Sequence, residues 1–182
     1  ELGGNAPFLV FEDADLDAAV IGAVQAKMRN AGQTCVAANR FLVHHAVAGE
    51  FADRLTAAFE QLVVGHGAEP GTTVGPLIEQ PAVTHVETVV AEAVDAGAVV
   101  RTGGTRPARR GYFSAPTVLE GVTPDLRVVS EETFGPVAPI VPFGSEDEAV
   151  ALANGTDFGL VAYAFTRDVG RVMRLAESVE AG

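Results

Sequence analysis

Short apolar runs alternate with stretches of helical periodicity along almost the whole chain, and that alternation limits the possible folds more than any single residue does. Residues 6–11, APFLVF, are continuously apolar, as a strand covered on both faces requires. Behind them Leu16, Val20, Val24 and Met28 recur every fourth position. Acidic residues crowd the first turn of that segment, where the helix dipole favours them, and Gly32 is a natural terminator. Residues 40–45, RFLVHH, predict the next strand. Residues 50–62 predict a helix that buries Phe51, Leu55, Phe59 and Leu62 and pairs Glu50 with Arg54 one turn on. The Gly/Pro-rich segment 65–81 predicts a long loop. Val83, Val86, Val90 and Val94 then share a helix face stopped by Gly97, and a short strand and turn follow at 98–104.

Residues 112–122 and 137–143 predict further strands, in which Pro116, Pro139 and Pro142 leave the ladder pairing open. Ser145 and Glu148 form a capping box ahead of the helix at 146–155. Residues 160–166 predict another buried strand, and Val169, Val172, Leu175 and Val179 the face of a last helix. This order predicts an α/β layered domain over 1–182, with a largely parallel sheet flanked by helices. At 48% hydrophobic residues the chain can bury a sizeable core. It contains neither a strand-G-x-G-x-x-G-helix unit nor a P-loop, so no recognisable nucleotide-phosphate cradle.

Net charge is −12, from 12 basic and 24 acidic residues, so the overall field repels nucleic acid and anionic membranes. No apolar run reaches the roughly 18 residues that span a bilayer, and a single cysteine cannot form an internal disulfide. These features predict a cytoplasmic protein stabilised by packing. Arg106, Arg109 and Arg110 cluster within TRPARRG, as either a local anion site or a solvated loop. The chain starts at Glu1 inside what looks like a strand-and-glycine motif, and so reads as a piece of a longer protein.

Cys35, the one cysteine, lies in NAGQTCVAANR behind Gly32 and before Val36, Ala37 and Ala38. A helix or turn beginning there would aim backbone N–H groups at the sulfur, favouring the thiolate and an oxyanion formed by its attack on a carbonyl. The same position also suits an inert buried thiol. Thioester chemistry at Cys35 would need a base to activate water, for which Glu1, Glu131 and Glu132 are candidates. His44 and His45 are expected on opposite strand faces, and His66 and His85 have no ligand-spaced partner, so no metal site is predicted.

ELGGNAPFLVFEDADLDAAV, NAGQTCVAANR, GYFSAPTVLEGV, EETFGPVAPIVPF and NGTDFGLVAYAFT occur in the order and approximate spacing of the aldehyde dehydrogenase superfamily. The chain resembles that family's cysteine-bearing catalytic domain over essentially its whole length. The resemblance implies that Cys35 is the nucleophile and Glu1 the general base. It also implies that Glu132 holds the nicotinamide ribose hydroxyls, that Phe134 borders the nicotinamide, and that the main chain of Leu2 and Gly3 lies beside the carboxamide. The implied reaction is oxidation of a small-molecule aldehyde by NAD or NADP, through a thiohemiacetal and a thioester hydrolysed with help from Glu1.

The family's oxyanion asparagine, cofactor lysine, cofactor domain and final oligomerisation strand have no counterpart in these 182 residues. The resemblance therefore implies that the piece is inactive alone and that the whole enzyme is a homodimer or homotetramer. RNAGQTCVAANR most resembles the succinate-semialdehyde dehydrogenase branch, in which an arginine six positions before the nucleophile binds the substrate carboxylate. That position is Arg29, whose planar fork suits a carboxylate. Ala37 stands where some members of the branch carry a second, regulatory cysteine, so no redox switch is expected. Two other readings remain open: a dehydrogenase of uncharged aldehydes, with Arg29 a helix-end cation, and a folded module without catalysis.

Overall fold

Six strands and six helices follow one another in the computed structural model, which describes residues 3–182. The strands are β1 (Ala6–Val10), β2 (Ala38–His44), β3 (Val99–Thr102), β4 (Thr117–Glu120), β5 (Val137–Phe143) and β6 (Tyr163–Phe165). The helices are α1 (Leu16–Met28), α2 (His45–Glu60), α3 (Gln80–Asp95), α4 (Arg127–Ser130), α5 (Glu146–Asn154) and α6 (Val169–Ser178). One sheet runs β3-β4-β5-β2-β1-β6, with β3 antiparallel to β4 and every other pairing parallel. This is the expected α/β architecture. β1 is buried along its whole length and β2 up to its last residue, because helices cover both faces of the sheet.

The core centres on Phe8, which has no exposed surface. Its ring lies 4.9 Å from that of Phe165, 5.2 Å from Phe41, 5.8 Å from Tyr163 and 6.5 Å from Phe51. This cluster joins three neighbouring strands to α2 and so fixes where their ends fall. Pro139 closes the β4 pairing opposite Leu119, and Pro142 stands opposite Val43 beyond that pairing, so both fit the ladder.

Several boundaries differ from the sequence reading for physical reasons. α2 starts at His45, five residues early, because the His44 ring accepts the Ala46 N–H at 3.3 Å and caps the helix. The two histidine rings accordingly lie 4.4 Å apart instead of facing opposite ways. The strand expected over 112–122 shrinks to β4, since Gly111 takes φ +127° and the approach to β4 is irregular, with Phe113 buried in it. Val94 (42% exposed), Val169 (75%) and Val172 (48%) are on the surface, and α6 buries only Leu175. The TRPARRG arginines are partly engaged within the chain: Arg109 binds Glu69 and lies over the Phe113 ring, and Arg106 donates to the Gly111 carbonyl. The expected Glu50–Arg54 pair and the Ser145 cap are both present.

Arg171 lies over the Phe11 ring and pairs with Glu12, Asp13 and Glu146, tying α6 and α5 to the end of β1. Hydrogen bonds from Arg174 and then Arg171 pull the Glu146 carboxyl down to about 2. Among the described residues no helix is long and apolar enough to cross a membrane, and no group of three side chains could hold a metal.

Two outcomes follow. Phe8→Ala should cost about 3–5 kcal/mol, read as a lower urea midpoint. The Glu146 contribution to stability is present above the ordinary carboxylate range and is lost as pH falls toward 2. Acid unfolding of Glu146→Gln should therefore show a shallower decline across that window.

Candidate active site

The site is assembled from loops that precede strands. Gly3–Gly4 leads into β1, the Cys35 turn into β2, Glu132–Gly135 into β5, and Phe158 lies ahead of β6. Since β5, β2, β1 and β6 are neighbours and parallel, all four loops meet at one edge of the sheet. This is the opposite edge from the carboxyl ends at which open α/β sheets usually bind ligands.

After α1 the chain reverses through a 3-10 turn over Arg29–Gly32, with positive φ at Asn30 (51°), Ala31 (55°) and Gly32 (79°). Asn30 and Gln33 hold this reversal mutually: each side-chain amide donates to the other residue's carbonyl at 3.0 Å. Gln33 Oε1 also accepts the Ile78 N–H at 2.8 Å, which ties the turn to the long loop. A Cβ on Gly32 would lie 2.2 Å from the Gly135 carbonyl oxygen, so glycine is the residue that lets these two loops touch.

Cys35 is half-buried in a turn closed by Ala37 N–H on the Thr34 carbonyl at 3.0 Å. The chain then enters β2, so no helix begins at Cys35. Its carbonyl lies against Gly4, where a Cβ would fall 2.0 Å away. On the next residue, the Tyr163 hydroxyl donates to the Val36 carbonyl at 2.7 Å. The turn is thus held from β1 and from β6.

Glu132 and Glu131 separate clearly. Glu131 is exposed and paired with Arg127, which keeps its carboxyl below the usual range. Glu132 is half-buried and accepts the Gly4 N–H on Oε1 at 2.9 Å, while Oε2 lies 3.2 Å from where a Gly3 Cβ would be. A carboxylate anchored on one oxygen keeps lone pairs free for neighbouring hydroxyls. Phe134, at φ 48°, is half-buried two residues on. Glu1 and Leu2 lie outside the described residues, so only Gly3 of that trio is placed.

Arg29 is exposed and lines a cavity of about 290 Å³ with Gln25, Val36, Tyr163, Phe8 and Phe165 among others. Burial pushes the Tyr163 hydroxyl pKa up, and the Arg29 charge opposes that shift. Arg29 and the residue after Cys35 therefore share one cavity.

Two participants were not foreseen. The Phe158 ring would be 3.1 Å from a Gly3 Cβ, so it flanks the same glycine as Glu132; it lies in the NGTDFGLVAYAFT stretch that carries the resemblance, where no role was assigned to it. Lys27 is completely buried, and that burial pushes its pKa down to about 7 against the attraction of Glu132. Its position three residues after Val24, on the apolar face of α1, was a legible signal.

A family model described as "Aldehyde dehydrogenase family" matches residues 1–182. The 3-sulfolactaldehyde dehydrogenase of Pseudomonas putida is 53% identical over the whole chain, which covers 37% of that protein. The NADP(+) succinate-semialdehyde dehydrogenase of Escherichia coli is 50% identical over the whole chain, which covers 38% of it. The crystal structure of succinate-semialdehyde dehydrogenase from Burkholderia pseudomallei superposes with TM-score 0.98 at 58% identity, over all of this chain and 38% of that one. The chain thus spans between a third and two fifths of the length of these relatives.

Gly32→Ala combines a positive φ with a backbone collision at Gly135. It should destabilise the fold by about 2 kcal/mol or more, measured by chemical unfolding.

Proposed function

The chain belongs to the aldehyde dehydrogenase family, and from that premise we propose that it is the cysteine-bearing part of an NAD(P)-dependent dehydrogenase acting on aldehydes with an anionic tail, succinic semialdehyde first among them. The observation that carries this reading is the cavity shared by Arg29 and the Cys35 turn. An aldehyde carbon at Cys35 and a carboxylate on Arg29 suit a short semialdehyde, and the guanidinium can donate two parallel hydrogen bonds to it. Two of the relatives named above act on aldehydes with an anionic tail, a carboxylate in one and a sulfonate in the other.

The described residues around Gly3 fit a nicotinamide dinucleotide. Gly3 leaves a bare stretch of main chain between Phe158 and the Glu132 carboxylate, which a side chain would fill. In this reading Glu132 accepts hydrogen bonds from the ribose hydroxyls, Phe134 borders the nicotinamide ring, and the main chain of Leu2 and Gly3 lies beside its carboxamide. What the bound nicotinamide supplies is a hydride acceptor.

The Cys35 thiolate attacks the carbonyl carbon; a C–S bond forms and the π electrons move to oxygen, where the Cys35 N–H holds the negative charge. After loss of hydride from that carbon, the oxygen lone pair restores the C=O bond and Cys35 carries a thioester. Glu1 takes a proton from water as the water oxygen attacks the thioester, and breaking the C–S bond returns its electron pair to sulfur as thiolate and releases the carboxylic acid, which loses its remaining proton to solvent.

In the intact enzyme Cys35→Ala should abolish turnover, and wild-type steady-state rates in it would refute the mechanism. Glu1→Gln should give a single burst of reduced cofactor and a trapped thioester, detected by mass spectrometry. Arg29→Ala should lower kcat/KM for succinic semialdehyde about 10- to 100-fold, the loss of a charged hydrogen-bonding partner, and leave a neutral aldehyde of similar length unaffected. Comparable kcat/KM values for the two aldehydes, unchanged in Arg29→Ala, would favour an uncharged substrate. The 182 residues alone should show no hydride transfer.

A further inference from the structure

Lys27 is a buried charge that the reaction above does not use and that, unlike Arg40, is not held by backbone carbonyls among the described residues. Its side chain has no exposed surface, and among the described residues its hydrogen-bond partner is Asn39 Oδ1 at 3.5 Å. Asn39 is the centre of a buried polar net. Its Nδ2 donates to Asn5 Oδ1 at 2.7 Å and to the Glu131 carbonyl at 2.8 Å, and its Oδ1 accepts the Thr133 N–H at 3.3 Å. Asn39 therefore grips the main chain on both sides of Glu132. Asn5 Nδ2 extends the net to the Val129 and Ser130 carbonyls at 3.0 and 3.3 Å.

We propose that Lys27 is a positioning residue for Glu132: its buried ammonium, through Asn39 and by direct attraction, keeps the Glu132 carboxylate aimed for the ribose of the cofactor. The proposal rests on reading Glu132 as the ribose-binding group. Burying an ammonium costs several kcal/mol, and a methionine of similar length would fill the same volume without that cost. A charge retained under those conditions points to an electrostatic task. Of the ionisable groups nearby, Glu132 acts on Lys27 from the loop before β5, whereas the Glu131 carboxylate is turned to Arg127; the partners from β1 and β2, Asn5 and Asn39, do not titrate.

The test is a double-mutant cycle in the intact enzyme with Lys27→Met and Glu132→Gln, joined by a measurement on the protein without cofactor. Lys27→Met should raise the KM for NAD(P) about tenfold with a smaller change in kcat, and the same substitution in the Glu132→Gln background should change little. Equal effects in both backgrounds would overturn the proposal and leave Lys27 a packing residue. An unchanged cofactor KM in Glu132→Gln alone would instead overturn the reading of Glu132 on which the proposal stands.

In the absence of cofactor the Lys27 ammonium costs stability that is relieved as the pH rises from about 7 toward the ordinary lysine range, because the unfolded state then binds the extra proton. Stability relative to Lys27→Met should therefore rise across that window. In Glu132→Gln the rise should begin at lower pH, since the attraction that holds Lys27 protonated is gone. An onset that does not move would overturn the coupling. Lys27→Gln serves as a second variant should Lys27→Met fold poorly.

Discussion

Two main-chain contacts without room for a side chain determine how the site is put together. Gly4 meets the Cys35 carbonyl and Gly32 meets the Gly135 carbonyl, each so closely that a Cβ would fall little more than 2 Å from the oxygen. Through them the loop before β2 is pressed between the loop before β1 and the loop before β5. The Glu132 carboxylate caps the Gly4 N–H of the same assembly. Loosening either glycine contact would separate Cys35 from the Glu132 carboxylate.

The sheet makes that assembly possible. Four adjacent parallel strands deliver the starts of β5, β2, β1 and β6 to one edge, and the Phe8 cluster sets their relative heights. β6 is only three residues long, yet it sends the Tyr163 hydroxyl to Val36 and so reaches the Cys35 turn from the far side. A short strand thus contributes to the site by position more than by pairing.

Two buried cations beneath the site show how differently such charges can be accommodated. Arg40 donates to the Asn5, Leu152 and Ala153 carbonyls at 2.6–2.8 Å, joining β2 to the entrance of β1 and to the end of α5, and burial brings its pKa to about 10. Its fork is satisfied by backbone and its role is cohesion. Among the described residues Lys27 has one long contact, to Asn39, and lies in the field of Glu132. The difference follows from chemistry: a guanidinium can spread its charge over several carbonyls, whereas an ammonium concentrates it.

The sequence by itself determined the layered α/β order, the capping of α5 by Ser145, the Glu50–Arg54 pair and the candidacy of Cys35 and of the acids Glu131 and Glu132, which depend on periodicity, on cap residues and on residue types readable within a few turns. Phe134, Gly3 and Arg29 became candidates through the family resemblance, which draws on motifs spread along the whole chain. Tertiary structure decided which of Glu131 and Glu132 faces the glycines, since adjacent residues share a composition and differ only in what lies opposite. It also placed Phe158 beside Gly3, brought Tyr163 to Val36 across 127 positions, and buried Lys27 under Glu132. Each of those meetings joins segments far apart in the chain, brought together by the strand order, and strand order is set by which apolar faces bury one another, which no single stretch of the chain records.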